Sequence, residues 1–336
     1  MREKASTMAL RSPFIILLLL ASFSFFFVAE GLHHHHGSSL GLGRTCFGNG
    51  DGDHGAVPFK FDLKEKEKLR CVAVTYNNTS AGHREFGYAI AAAFRKDIQK
   101  IFYSDKELER LVEWCNGKGS LIFDRLVSAA RSAYPMLFEE VEGMALGADV
   151  PLSTMLVNQF REELVQLVPS TVEKNVRGRG LCSSILVNQK DSQLLAHNDD
   201  WTQDWRDLAY WVVGTEVSPN PSVKSLDVSF GTWVYPGYLS GMDISWNTNG
   251  IMYTVNSLFP LRKPDPDGVG TAFIARDMLV ARSVEDCERR AQGQPTTPAS
   301  AMSYQIASFK DKRVSGTVFV LAKGTFFLTR LLFFCR

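Results

Sequence analysis

The sequence predicts an α+β fold, and three observations carry that prediction. Residues 82–165 show one apolar stripe after another at helical spacing. After Cys182 the pattern changes to short β-branched and aromatic runs separated by turn residues, which is the signature of a largely antiparallel sheet. Helical patterning then returns at 271–282 and again after Ser283, before a further strand at 300–309.

The elements follow in order. Residues 68–76 (KLRCVAVTY) are apolar and β-branched and read as a strand. Phe86, Ile90, Phe94, Ile98 and Ile101 recur at helical spacing and read as one helix. Ser104 with Glu107 forms a capping box for the next helix, which Gly117 can end. Ile122, Leu126, Ala129 and Ala133 make a third stripe, residues 135–150 a fourth helix closed at Gly147, and residues 151–164 a fifth. Residues 182–188 and 193–197 flank QKDS and read as a hairpin. Further strands are expected at 208–217, 225–235, 243–247 and 250–258, with Asn249-Gly250 as a hairpin turn. A helix is expected at 271–282, and a second one is capped by Ser283, with Asp286 where a capping box prefers Glu.

Composition narrows the function. The 336-residue chain has a formal net charge of +1. No basic face stands out, which argues against a nucleic-acid partner. Arg2, Lys4 and Arg11 precede the apolar run Pro13–Ala29, so residues 1–31 read as a secretory signal peptide or, uncleaved, as a membrane anchor. The localisation expected is the secretory pathway, with membrane contact through that segment. The overlapping sequons at Asn77 and Asn78 are candidate glycosylation sites in an exported chain. Residues 32–57 are Gly- and Ser-rich and read as a disordered linker. Six cysteines are scattered without a CxxC pair, so neither a zinc ribbon nor a disulfide framework is indicated. No metal motif or phosphate loop is present in the sequence, and no cofactor is expected.

One short stretch carries the chemistry. Cys182 follows the cuttable Gly-rich segment 175–180 (NVRGRG) and opens an apolar strand. A hairpin later, Asn198 and Asp200 return to the same sheet edge, and Ser183 and Ser184 place hydroxyls beside the thiol. Taken alone, a cysteine at a strand start is a small core hydrophobe. In this context it reads as a nucleophile exposed by cutting the bond between Leu181 and Cys182, with its own new α-amine as base. No histidine follows His197, which leaves few partners for a Cys-His dyad. Asp199 and Asp200 are adjacent strand residues, so only one of them should line a site. Trp201, Trp205 and Trp211 read as core or pocket wall. Arg161 and Glu163 read either as a buried supporting pair or as a solvated helix face.

Five segments in order resemble the isopenicillin N acyltransferase family of N-terminal nucleophile hydrolases, also called the C45 peptidases. REFGYAIA (84–91) is similar to the family's early helix, and residues 134–150 to its P…EEI.GIA.GA segment. NQFREEL (158–164) stands where the family has an Asn…Arg-x-Glu stretch. CSSILV with AHNDDW resembles the pair that holds the nucleophile and an aspartate, and residues 245–258 its G.N..G….N.L hairpin. The resemblance implies an αββα sandwich over residues 58–314, autoproteolysis before Cys182, and catalytic roles for Cys182, Asp200, Ser183 and Asn198. It implies attack on a small-molecule acyl group: an acyl amide, an amino-acid conjugate or acyl-CoA. Two features depart from the family. Leu181 stands where better-known members have Gly. The tail 315–336 has no asparagine, and Arg330 is its one arginine before the terminus, so the family's later oxyanion donor and arginine have no counterpart. The tail reads either as a sheet hairpin turning at Lys323-Gly324 or as translated intron replacing the true last strands. Under the second reading the fold is incomplete at its C-terminus and the chain is a catalytically inactive relative.

Overall fold

The computed structural model describes residues 70–169, 182–188, 193–220, 222–223, 227–258, 262–310, 313–320 and 326–329. The apolar run Pro13–Ala29, the linker 32–57, Leu181, the segment 175–180 and the turn at Lys323-Gly324 lie outside the described residues. Among the described residues no helix is long and apolar enough to cross a membrane.

Strand β1 (Cys71–Asn77) is followed by seven helices: α1 (Ser80–Ala93), α2 (Arg95–Ser104), α3 (Lys106–Asn116), α4 (Ser120–Ala133), α5 (Pro135–Ala148), α6 (Leu152–Gln159) and α7 (Arg161–Leu167). The hairpin strands β2 (Ser183–Asn188) and β3 (Gln193–Asn198) come next, then the short α8 (Gln203–Arg206). Strands β4 (Tyr210–Val217), β5 (Val228–Val234), β6 (Ser245–Asn247) and β7 (Ile251–Ser257) lead to α9 (Thr271–Met278) and α10 (Val284–Ala291). Strands β8 (Met302–Ser308), β9 (Arg313–Val320) and β10 (Phe326–Thr329) close the chain. The main sheet has eight strands in the order β1-β4-β5-β6-β7-β8-β9-β10 and is mixed, since β1 pairs in parallel with β4. A parallel pair needs a long crossover, and residues 78–209 provide it. The sheet runs on past residue 314 through β9 and β10, which pair antiparallel. The fold is therefore α+β.

Period-two alternation sorts the core. Tyr253 and Val255 of β7 and Tyr304 and Ile306 of β8 join the helices in one cluster. Trp211, Trp246 and Met252 point the other way and pack with Leu195 and Leu186 of the β2–β3 hairpin. Helices, eight-stranded sheet and hairpin form three successive layers.

Local chemistry moved several boundaries. The single helix expected across Phe86–Ile101 is two, because Phe94 leaves helical geometry (φ −115°, ψ 23°) and stacks on Tyr210 with ring centroids 3.7 Å apart. Asp105, not Ser104, caps α3, its carboxylate accepting from the Glu107 and Leu108 amides at 2.8 and 3.1 Å. The buried stripe of α4 is Phe123, Leu126 and Ala130: Leu126 is buried as expected, while Phe123 and Ala130 take the places expected for Ile122 and Ala129. Gly147 does not end α5; Asp149 does, in the left-handed conformation (φ 56°). Gly147 instead lets α5 approach α1. The fifth helix is likewise two, α6 and α7, broken at Phe160. Ser283 caps α10 by accepting from the Asp286 amide at 3.1 Å. Cys71 is disulfide-bonded, where no framework was expected.

A buried charged network ties the helical layer to the sheet. Arg276 on α9 donates to Glu140 on α5 at 2.8 Å and to the Tyr76 hydroxyl on β1 at 2.7 Å. Tyr76 donates to Glu216 on β4 at 2.8 Å, and His83 on α1 meets Glu140 at 3.1 Å. Burial alone would raise the Glu140 carboxyl, but the Arg276 charge and His83 hold it below its ordinary value.

Candidate active site

The site forms where the hairpin meets the sheet. Strands β2 and β3 pair Ser183 with Asn198, Ser184 with His197 and Leu186 with Leu195. Residues directly opposite share a face, so Ser184, Leu186, Leu195 and His197 turn toward the sheet. The same parity continued by one step brings Cys182 against Asp199. The thiol donates to Asp199 Oδ1 at 3.2 Å and accepts from the Asp200 backbone amide. Burial first, and then the Asp199 and Asp243 charges, push the thiol far above its ordinary range.

Parity also decides where the expected residues go. The Asp200 side chain faces away and accepts from Asn198 at 2.8 Å. Ser183 is exposed on that same outer face. Of Cys182, Asp200, Ser183 and Asn198, Cys182 lines the cleft, and the carboxylate beside it belongs to Asp199. Ser184 turns inward, but to His197 Nδ1 at 3.0 Å, Thr254 at 2.8 Å and Asn256 at 3.0 Å rather than to the thiol. Thr254 continues the chain to Gln305 at 2.8 Å. Burial holds His197 below its ordinary value, so the ring is neutral near pH 7, with Nε2 at 3.4 Å from Asp243.

Arg161 and Glu163 are both buried, which removes the solvated-face reading, yet they do not pair with each other. Arg161 donates to Asp105 at 2.7 Å and Glu107 at 2.9 Å and lies over the Trp205 ring. Glu163 accepts from the Thr271 amide at 2.9 Å and hydroxyl at 2.7 Å, at the N-terminus of α9. They brace the helices rather than touch the thiol. Asn77 and Asn78 are exposed at the end of β1.

The cleft has about 50 Å³ of room. Its walls include Trp201, Trp233, Tyr235, Tyr238 and Met302, and its acids are Glu162, Asp199 and Asp243. Tyr235 hydrogen-bonds Asp199. Asp243 is raised well above its ordinary value by burial and then by the Asp199 charge. Burial, with the neighbouring Glu163 charge, pushes Glu162 up to about 7. The aromatic wall is set by a turn: in Tyr235-Pro236-Gly237-Tyr238 the Tyr238 amide donates to the Tyr235 carbonyl at 3.1 Å, with Gly237 at φ +80°. Gln159 clamps that turn from α6, donating to the Gly237 carbonyl at 2.7 Å and accepting from the Leu239 amide at 2.8 Å. A larger cavity of about 350 Å³ lies elsewhere, lined by His83, Tyr134, Arg276 and Arg290, with no cysteine, serine or threonine among its described lining residues. Among the described residues no group of three His, Cys, Asp or Glu can hold a metal ion.

Sequence reasoning missed Asp243, Glu162 and Tyr235. The YPGY turn signals the position of Tyr235 locally. Asp243 and Glu162 carry no local signal, because only long-range packing brings them to the thiol.

Residues 187–317 match the family model described as acyl-coenzyme A:6-aminopenicillanic acid acyl-transferase. Over 252 residues the chain is 27% identical to the β-alanyl-dopamine/carcinine hydrolase of Drosophila melanogaster, covering 73% of this chain. The match spans 64% of that relative's length. Family model, relative and the ordered motifs agree in supporting a resemblance to the acyl-coenzyme A:6-aminopenicillanic acid acyl-transferase family.

Proposed function

We propose that this chain is a cysteine acyl-transfer enzyme, an amidohydrolase or acyltransferase for small molecules, activated by cutting before Cys182. The observation that carries the reading is the thiol at the first position of the hairpin, facing Asp199 in an aromatic cleft. In the uncut chain two nearby acids and burial keep the thiol protonated, so it is a poor nucleophile. Cutting reverses the electrostatics. The Cys182 sulfur attacks the Leu181 carbonyl, the Leu181–Cys182 C–N bond breaks, and water hydrolyses the resulting thioester. The products are a carboxylate at Leu181 and a free amine at Cys182. That amine, with an ordinary pKa near 8, takes the thiol proton, and Asp199 becomes its counter-ion. The thiolate then attacks an amide or thioester carbonyl. The leaving amine or thiol departs with the proton, and water or a second amine resolves the acyl-enzyme. The relative's name supports an amide of a small amine as substrate. The αββα sandwich is the finer architecture that this family resemblance supports, with the described sheet and hairpin as its two central layers. Export through the N-terminal apolar segment fits the Cys71 disulfide.

The test is a denaturing gel with N-terminal sequencing of the purified chain. The reading requires a fragment that begins at Cys182, thiol-dependent hydrolysis of acyl amides, and loss of both in Cys182→Ala. A second reading, a non-catalytic binding relative, is favoured by the strongly protonated thiol of the uncut chain. An intact chain without hydrolysis would establish it.

A further inference from the structure

The cleft beside Cys182 is unbalanced in charge. Among the described residues its lining holds Glu162, Asp199 and Asp243 and no lysine, arginine or histidine. Arg161, next to Glu162 in sequence, is engaged by Asp105 and Glu107. Asp243 is 3% exposed, and its Oδ2 finds no hydrogen-bond donor among the described residues. A buried carboxylate is costly to leave ionised without a cation. Protonation lowers that cost, and burial accordingly raises both Asp243 and Glu162. An α-ammonium at Cys182 answers one of the three acids. Among the described residues no lysine or arginine pairs directly with the other two: the Arg161 charge acts on Glu162 only through space, and the His197 ring 3.4 Å from Asp243 is held neutral by burial.

The walls say what kind of cation fits. Trp201 and Tyr235 stand with ring centroids 5.9 Å apart, and Tyr238 continues the aromatic surface. A ring face attracts organic ammonium groups and packs against the carbon attached to them. A bare metal ion is a poor fit, since the three acids do not converge as metal ligands.

We propose that this cleft recognises a protonated amine on the substrate, with Glu162 as its principal counter-ion, Asp243 as the second, and Trp201, Tyr235 and Tyr238 as the wall. The inference rests on Cys182 being the reacting thiol, but its test does not. Glu162 acts here as a specificity-determining residue: it selects amine-bearing acyl compounds over neutral ones of equal size. In solution, ammonium binding replaces the proton that Glu162 otherwise holds.

The full chain is titrated with benzylammonium and with benzyl alcohol, nearly equal in size and different in charge, following the fluorescence of Trp201 and Trp233. The expected result is binding of the ammonium about tenfold or more tighter than the alcohol, as for a desolvated carboxylate and ring face acting together. Glu162→Gln should bring the two affinities within about threefold of each other by removing the charge and keeping the shape. Equal affinities in the wild type, no binding of either, or an undiminished preference in a folded Glu162→Gln variant each overturn the proposal. If Glu162→Gln fails to fold, the wild-type comparison decides alone. A chain that prefers the ammonium but never hydrolyses an amide retains this inference and loses the catalytic one.

Discussion

Gln159 offers a sharp test of how the cleft wall is held. It is buried in α6, and its amide makes two bonds to the turn that carries Tyr235 and Tyr238. Asn158 donates to the same Gly237 carbonyl at 3.0 Å. Gln159→Met keeps the stem and most of the volume but removes both bonds. The Gly237 carbonyl still has Asn158, so its loss costs about 1 kcal/mol. The Leu239 amide has no substitute acceptor, and an orphaned buried donor costs about 1–3 kcal/mol. The expected destabilisation is therefore about 2–4 kcal/mol in urea unfolding, as a shift in midpoint with little change in slope. Asn158→Ala, which orphans nothing on the turn, should cost about 1 kcal/mol from that bond. The double variant should lose more than the sum, because only then is the Gly237 carbonyl bare. If Asn158→Ala proves as costly as Gln159→Met, or the two simply add, the clamp does not work as described.

Three further outcomes are expected. Arg276→Met leaves the Glu140 carboxylate buried without its cation and should cost about 3–5 kcal/mol by chemical denaturation; a smaller loss than that of an exposed pair would contradict the network. Gly87→Ala places a methyl carbon 2.0 Å from the Glu140 carbonyl oxygen at the α1–α5 crossing, and should lower stability by about 1–3 kcal/mol or abolish soluble expression. For Glu162, the folded value near 7 exceeds the ordinary value of 4.5, so the folded state holds the extra proton between those limits. Its contribution is complete below pH 4.5 and declines as pH rises toward 7. Against a Cys182→Ala, Glu162→Gln reference, the stability of Cys182→Ala should fall across that window, and a flat difference would refute the assignment.

Much of the fold was legible because it is written in short-range patterns. The hairpin at 182–198, the Asn249-Gly250 turn and the cap at Ser283 are each decided within a few residues. What failed were contests between equally good local options. Asp105 and Ser104 both precede α3, and the aspartate that reaches two amides won. Gly147 resembled a helix end, but its missing side chain serves packing: an added Cβ would lie 2.3 Å from the Tyr88 carbonyl. At the site, the sequence singled out Cys182 and stated that only one of Asp199 and Asp200 faces inward. Choosing between them needed the hairpin register, which sets Cys182 opposite Asp199. Asp243 and Glu162 come from elements 61 and 20 residues away from Cys182 in sequence, so only tertiary packing reveals them.

The parallel ladder between β1 and β4 has a bearing on what a cut at residue 181 would accomplish. Cys71–Asn77 belongs to the upstream piece and Tyr210–Val217 to the downstream one, and seven residue pairs zip them side by side. The contacts of Arg276 with Glu140 and of Thr271 with Glu163 also bridge the two pieces. Hydrolysis of one peptide bond would leave this seam closed. The mature molecule would travel through gel filtration as one particle, an interlocked heterodimer born from a single polypeptide, and separate only when denaturant melts the shared sheet.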